Sequence, residues 1–130
     1  MQWKYKIDLA DETVFLDIER EYGIRVPEEV REIVRNYNAA TPSQYHFMIG
    51  TDERAFGAVL SFNRGDEDVD LVFTALDVIE DKNLMPFAAD PFGNYICFDR
   101  NEGKVAFWDH ETNASSSTGQ TMSAFLEGLY

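Results

Sequence analysis

Hydrophobic and polar residues alternate at the start of the chain. From residue 2 to residue 9 the apolar residues fall on odd positions, which hold Trp3, Tyr5, Ile7 and Leu9. A period of two is typical of a strand with one buried face. Lysines on the polar positions favour the edge of a sheet. The pattern predicts a first, edge strand over residues 2–9.

The next apolar residues recur at helical spacing. Asp11 can cap a helix whose apolar positions are four residues apart. Glycine readily adopts the left-handed conformation that ends a helix, and Gly23 can do so here. The pattern therefore predicts a first helix over residues 11–22. Pro27 suits the first turn of a second helix because the amide it lacks would have no partner there. The buried stripe predicted for that helix is Val30, Ile33, Val34 and Tyr37.

The rest of the chain has short apolar runs separated by polar turns, which predicts antiparallel strands. Residues 44–49 and 56–62 are expected to pair across a charged turn at 51–54. Residues 94–99 and 104–109 predict a second hairpin. Gly103 lies in its turn, where a positive φ is favoured.

Three later segments complete the pattern. Residues 74–81 fit a short helix and fit a strand equally well, so both remain open. Residues 115–119 predict a mobile loop. A closing helix follows from helical spacing of Met122, Phe125, Leu126 and Leu129.

The order of elements predicts an α+β fold. Helices lie at both ends of a run of antiparallel strands, and no βαβ unit is present. A chain of 130 residues with 45% hydrophobic residues can bury one core. We therefore expect a single domain over residues 1–130, with an N-terminal helix pair and a C-terminal helix packed on an antiparallel sheet.

The charge of the chain bears on its partners. It has 24 acidic residues against 11 Lys and Arg, for a formal net charge of -13. Such a field repels the phosphates of nucleic acid and attracts basic protein surfaces. A simple role in solubility is an open alternative. A lone cysteine, Cys97, and the absence of an apolar leader or membrane-spanning segment predict a cytoplasmic protein that is not bound to a membrane.

The residues that commonly carry catalysis are sparse. The chain has one cysteine and two histidines and lacks the usual nucleophile, phosphate-binding and zinc-binding motifs. Asp66, Asp68 and Asp70 have the spacing of a calcium-binding loop. Leu71, however, occupies the place that needs a glycine for a sharp turn. We therefore expect neither an enzyme nor a bound metal or cofactor.

Two stretches carry a family resemblance. Pro86–Asp99, followed by Gly103–Glu111, resembles the central signature of the SUKH superfamily of Smi/Knr cell-wall regulator-like proteins. Glu19–Pro27 is similar to the family's junction between a first helix and a second one that starts with proline. Residues 38–40 depart from the family, which often has a glycine-rich turn there.

The resemblance implies an α+β fold and a function in protein binding. Bacterial members frequently serve as immunity proteins against polymorphic toxins, many of them nucleases, whereas fungal members are regulatory. We interpret the signature residues as structural. Pro86 and Gly93 are expected to form turns, and Asp90 to cap a turn. The packing residues are Phe98 and Trp108.

These observations lead to one functional hypothesis and one alternative. The hypothesis is an immunity protein that covers the active surface of a basic toxin domain. Its predicted partner-binding residues are acids for electrostatic steering and one aromatic anchor, namely Asp66, Glu67, Asp68, Asp70 and Trp108. The alternative is a regulatory or scaffolding interaction module unrelated to toxins.

Overall fold

The computed structural model describes all 130 residues and has four helices and nine strands. The helices are α1 (Val14–Tyr22), α2 (Glu28–Tyr37), α3 (Val72–Val78) and α4 (Met122–Glu127). The strands are β1 (Trp3–Lys4), β2 (Thr41–Pro42), β3 (His46–Ile49), β4 (Asp52–Ala55), β5 (Ala58–Val59), β6 (Leu84–Ala89), β7 (Tyr95–Asp99), β8 (Lys104–Asp109) and β9 (Ala114–Ser117). The predicted α+β class is confirmed.

All of the strand pairs are antiparallel. The main sheet has five strands in the order β5-β6-β7-β8-β9, and β1–β2 and β3–β4 form separate two-stranded sheets. The predicted hairpin of residues 94–109 is confirmed as β7 and β8, which pair from Tyr95 opposite Trp108 to Asp99 opposite Lys104. Gly103 has a φ of 70° in its turn, as the sequence predicted.

The first strand is much shorter than predicted. Only Trp3 and Lys4 pair, with Pro42 and Thr41 of β2. The strand ends because Tyr5 has a φ of 65°, which is incompatible with a continuing ladder. Beyond it Leu9 packs against the core, and the Ile7 amide donates to the Asn38 carbonyl at 3.0 Å.

The predicted pairing of residues 44–49 with 56–62 is wrong. β3 pairs instead with β4, across a tight turn at Gly50 and Thr51, so most of the expected charged turn is a strand. Gly50, with a φ of 58°, makes that turn possible. β5 joins the main sheet, where Ala58 lies opposite Ala89.

Two other segments differ from the sequence prediction. Pro86, predicted as a turn former, lies inside β6 at the register shift between Pro86 and Ala88. β6 is buried at all six positions, so it has no polar alternation to mark it as a strand.

Residues 115–119 were predicted as a mobile loop, but Ala114–Ser117 form β9, because pairing with β8 outweighs the weak strand preference of serine.

The helices follow the predicted spacing, but α1 begins at Val14 and not at Asp11. Asp11 Oδ1 accepts the Thr13 amide at 2.9 Å in the turn before the helix and does not cap it. The left-handed Gly23 ends α1, and its amide donates to the Glu19 carbonyl at 3.0 Å. α2 begins directly after Pro27 and buries Val30, Ile33 and Val34. Of residues 74–81, left open between helix and strand, 74–78 are helical and belong to α3, which begins earlier, at Val72. Thr121 caps α4 by accepting the Ala124 amide at 3.3 Å.

One contiguous core of 33 buried residues joins the helices to the main sheet. Ile18 of α1, Val30 of α2 and Ile96 of β7 are fully buried within it. None of the helices is both long and apolar enough to cross a membrane.

Candidate protein-binding site

The acidic loop between β5 and α3 divides its four predicted acids into two groups. Asp66 is half-buried, and its Oδ2 accepts hydrogen bonds from Ser61 Oγ at 2.6 Å and Asn63 Nδ2 at 3.1 Å. Glu67, Asp68 and Asp70 are exposed. Asp66 therefore anchors the loop, whereas the other three carboxylates face solvent.

A buried polar network holds the base of this loop. Asn38, at the end of α2, is fully buried; its Nδ2 donates to the Ile7 carbonyl at 3.0 Å and to Ser61 Oγ at 3.3 Å. Its Oδ1 accepts the Phe62 amide at 2.9 Å. Because each polar group has a partner, the network ties α2, the N-terminal segment and the loop together. Sequence reasoning missed Asn38, although a polar residue directly after a helix is a common capping signal.

Asp68 and Asp70 line one cleft of about 520 Å³. Its other walls are mainly apolar. We call it the acidic cleft, defined by Tyr5, Ala39, Thr41, Ala58, Val59, Asp68, Val69 and Asp70. Glu67 lies on the same loop but outside this lining. The structure therefore brings two of the predicted acids together with Tyr5, which directly follows β1, and with residues of β2 and β5.

The backbone around the acidic cleft is conformationally unusual. Three of the four non-glycine residues with positive φ belong to it: Tyr5 at 65°, Ala39 at 63° and Asp68 at 62°. A left-handed conformation costs a non-glycine residue about 1–2 kcal/mol. Ala39 lies in the segment where the sequence departs from the glycine-rich turn of the SUKH proteins it resembles. The left-handed conformation survives here without the glycine.

The side chain at the rim of the acidic cleft is aromatic and accessible. Tyr5 is 79% exposed, the highest exposure among the large hydrophobic residues. The left-handed backbone ends β1 before this residue, and its ring is not among those packed on the core. An exposed tyrosine beside two carboxylates offers one apolar face and a set of negative charges to a partner.

Trp108, the predicted aromatic anchor, is buried in the structure. It is only 5% exposed, its ring stacks on Tyr95 with centroids 5.8 Å apart, and its Nε1 donates to Asn113 Oδ1 at 2.9 Å. The indole is therefore a packing residue beneath the surface in this structure. Tyr95 lies above it, half-buried. Burial raises the pKa of Tyr95, and the negative charge of Asp70 raises this pKa further.

The residues with catalytic potential lie apart from the acidic cleft. Cys97 is fully buried, and burial raises the pKa of its thiol far above the usual value. His110 Nδ1 lies 2.6 Å from Asn94 Oδ1, and His46 Nδ1 lies 3.2 Å from the Tyr130 carbonyl oxygen. No cluster of three or more His, Cys, Asp or Glu side chains is arranged to hold a metal ion. The arrangement in the acidic cleft fits the binding of a basic group.

The fold and this surface define a small α+β domain with features of a protein-binding module. The chain belongs to the SMI1 / KNR4 family (SUKH-1), whose model matches residues 9–128. This confirms the resemblance found in the sequence.

One curated relative is a SPbeta prophage-derived uncharacterized protein, YokK, from Bacillus subtilis (strain 168). It is 45% identical over 40 residues, which cover 28% of this chain and 21% of that protein. The chain thus matches about a fifth of its relative's length. No solved structure matches the chain.

Proposed function

We propose that this protein is an immunity protein that binds a cognate toxin domain and neutralises it by covering the toxin's active surface. Membership of the SMI1/KNR4 family supports this, because its members are commonly immunity proteins. In this proposal the protein acts in the cytoplasm, by occupying a protein partner and without catalysing a reaction.

The acidic cleft carries the proposal. Asp68 and Asp70 present negative charge beside an apolar floor that includes Ala58 and Val59. A lysine or arginine of the partner fits such a surface, because its aliphatic stem packs on apolar atoms while its charge meets the carboxylates. A nuclease toxin, whose active surface must attract phosphates, offers basic groups of this kind.

The charge of the whole chain supports the same partner. A net charge of -13 attracts a basic domain over a distance, and steering of this type speeds association at low salt. The exposed acids of the loop add a local field at the cleft. Tyr5, the exposed aromatic residue at its rim, is the anchor we propose in place of the buried Trp108.

The test begins with capture of the partner. The tagged chain is used as bait in a lysate of its source cells, at low and then high salt, and the bound proteins are identified by mass spectrometry. Recovery of a basic toxin domain whose activity is suppressed in proportion to added protein supports the proposal. Recovery of regulatory proteins alone, with no suppressed toxin, overturns it in favour of the regulatory or scaffolding module.

A charge-neutralised variant then tests the cleft. We expect Glu67→Gln, Asp68→Asn and Asp70→Asn together to slow association with the toxin by about tenfold at low salt and to flatten its salt dependence. Asparagine tolerates the left-handed backbone at position 68, so the loop keeps its conformation. The measurement is stopped-flow association at several ionic strengths.

A matched control removes the same number of charges elsewhere. Glu19→Gln, Glu102→Gln and Glu127→Gln neutralise exposed acids that are neither in the loop nor in the lining of the acidic cleft. This control should slow association far less. Equal rates for the two triple variants would show that only the net charge matters and would remove the cleft from the proposal.

A further inference from the structure

The two edges of the main sheet differ in how they are covered. At the β5 edge, the Val59 amide donates to the Ala40 carbonyl at 2.9 Å, and the nearby Ser61 amide donates to the Asp70 carbonyl at 2.9 Å. At the other edge, all four residues of β9 are exposed and no further strand follows. The main sheet therefore has one covered edge and one open edge.

The open edge has free backbone groups. The Thr118 amide donates to the Val105 carbonyl at 2.9 Å, which shows that residue 118 faces β8. Backbone groups along an antiparallel strand face alternate sides, so those of Ser116 also point towards β8. The N–H and C=O groups of Ser115 and Ser117 consequently point away from the sheet and are available to another strand.

This edge lacks the features that usually prevent strand pairing. Natural edge strands are commonly protected by charged side chains, proline or a bulge. Although 27% of the chain is charged, residues 112–126 contain no Asp, Glu, Lys or Arg, and they contain no proline. The register from Ala106 opposite Ser117 to Asp109 opposite Ala114 is also free of a bulge.

A second charge-free segment adjoins the first. Residues 36–51 also lack Asp, Glu, Lys and Arg. The two segments meet at a cleft of about 400 Å³, where Met48 and Gly50 face Thr118. Met48 is 42% exposed there. Depletion of charge together with an exposed methionine is typical of the central part of a protein interface.

We propose that this edge pairs with the same edge of a second copy of the chain. The two β9 strands run antiparallel about a two-fold axis at Ser116 and join the two five-stranded sheets. In this register the outward N–H groups of Ser115 meet the outward C=O groups of Ser117 of the other copy, and the reverse. Serine faces serine at positions 115–117 and Ala114 faces Thr118, so the strands approach without steric or charge conflict.

The self-complementary register of β9, in which outward N–H groups meet outward C=O groups of an identical strand, selects a second copy over other occupants. Each copy has a formal net charge of -13, so two copies repel each other over most of their surfaces. The charge-free edge is where they can meet at the lowest electrostatic cost. A basic partner is drawn instead to the acidic cleft, and this dimer does not depend on the identity of that partner.

Sedimentation velocity over about a hundredfold range of protein concentration tests the proposal. The expected result is a concentration-dependent species of about 30 kDa, twice the 14.9 kDa of one chain. Ser116→Lys puts two positive charges directly opposite each other at the axis and should weaken the dimer about tenfold or more. Ser116→Glu should do the same. Mixing these two variants should restore a heterodimer, because opposite charges then face each other.

Two further variants separate the dimer contact from the fold. Ser115→Pro removes an outward N–H, which an edge strand tolerates, so the dimer should weaken while the circular dichroism melting curve is retained. Thr74→Lys adds the same charge on the exposed side of α3 and should leave the dimer unchanged. A monomer at every concentration would overturn the proposal. So would a dimer that Ser116→Lys and Ser115→Pro leave intact, or a mixture that forms no heterodimer.

Discussion

At the scale of single residues, the buried Asp90 carboxylate accepts three hydrogen bonds. It is only 6% exposed, and its Oδ1 accepts the amides of Phe92 and Asn94, each at 2.8 Å. Its Oδ2 accepts Asn94 Nδ2 at 2.9 Å. Asn94 Oδ1 in turn accepts the His110 amide at 3.0 Å. The carboxylate therefore connects the turn before β7 to the end of β8, as the turn cap predicted from the sequence.

Removal of this carboxylate should destabilise the fold. We expect Asp90→Ala to lower the free energy of unfolding by about 3 kcal/mol, because it leaves buried donors of the turn without an acceptor. Urea denaturation of the variant and the wild type gives the difference.

The control for Asp90 is a half-buried aspartate whose similar local bond is exposed to solvent. Asp109 Oδ1 accepts the Glu111 amide at 2.9 Å in an exposed turn. Asp109→Ala should cost about 1 kcal/mol or less, since water replaces the lost acceptor. Equal losses for the two variants would mean that the burial of the Asp90 network contributes nothing to stability.

At the scale of elements, the β7–β8 hairpin depends on a glycine in its turn. Gly103 has a φ of 70° and donates its amide to the Asp99 carbonyl at 2.8 Å. A Cβ at this position would meet no atom within 4 Å, so backbone conformation alone sets the cost of a substitution. Gly103→Ala should lower the free energy of unfolding by about 1 kcal/mol.

A second glycine provides the matched comparison. Gly65 lies in the acidic loop, has no positive φ, and has equally open space around its Cα. Gly65→Ala should raise the free energy of unfolding by about 0.4–1 kcal/mol, because it restricts only the unfolded chain. Thermal or urea denaturation should therefore show opposite signs for the two variants. A shared sign would contradict the conformational explanation.

At the scale of the whole molecule, repulsion between acids competes with a few ion pairs. The ion pairs are those of Lys6 with Asp8, Arg35 with Glu12 and Glu28, and Arg64 with Glu21, and every partner is at least 37% exposed. Such exposed pairs contribute little to stability, because water and salt screen them. The unbalanced charge of -13 acts over the whole surface, so repulsion is the larger effect.

Added salt should therefore stabilise the protein. Raising the ionic strength from about 0.01 M to about 0.15 M shortens the screening length from about 30 Å to about 8 Å and weakens the long-range repulsion most. We expect a rise of about 1 kcal/mol in stability, or about 4 °C in melting temperature. Calorimetry in sodium chloride measures it at a protein concentration where the chain is monomeric. A fall in melting temperature would show that the ion pairs dominate.

The local elements were predictable where short-range chemistry decides them. The helix end at Gly23, the start of α2 after Pro27 and the turn at Gly103 each follow from the conformational preference of one residue. β6 and β9 were missed for opposite reasons: β6 is buried on both faces and has no alternation, while β9 is exposed and depends on β8 for its pairing. The pairing of β3 with β4 was missed because charged residues such as those at 52–54 are typical of a turn.

The candidate site was predictable only in part. The sequence indicated a concentration of acids at residues 66–70, but it could not show that Asp66 turns inward to Ser61 or that Trp108 packs under Tyr95. Tyr5 and Ala39 are far from that loop in the chain and meet it only in the folded protein. Contacts between distant segments depend on how the sheets and helices pack, which local patterns do not encode.

By itself the sequence determined the α+β class, the junction between α1 and α2, the main hairpin, the acidic charge and the family resemblance. These properties depend on composition, on periodicity, or on residues close together in the chain. The tertiary structure alone decided the strand order, the separation of the acids into anchor and surface groups, and the contrast between a covered β5 edge and an open β9 edge. Those properties depend on which distant segments pair, and pairing satisfies backbone hydrogen bonds and burial across the whole molecule at once.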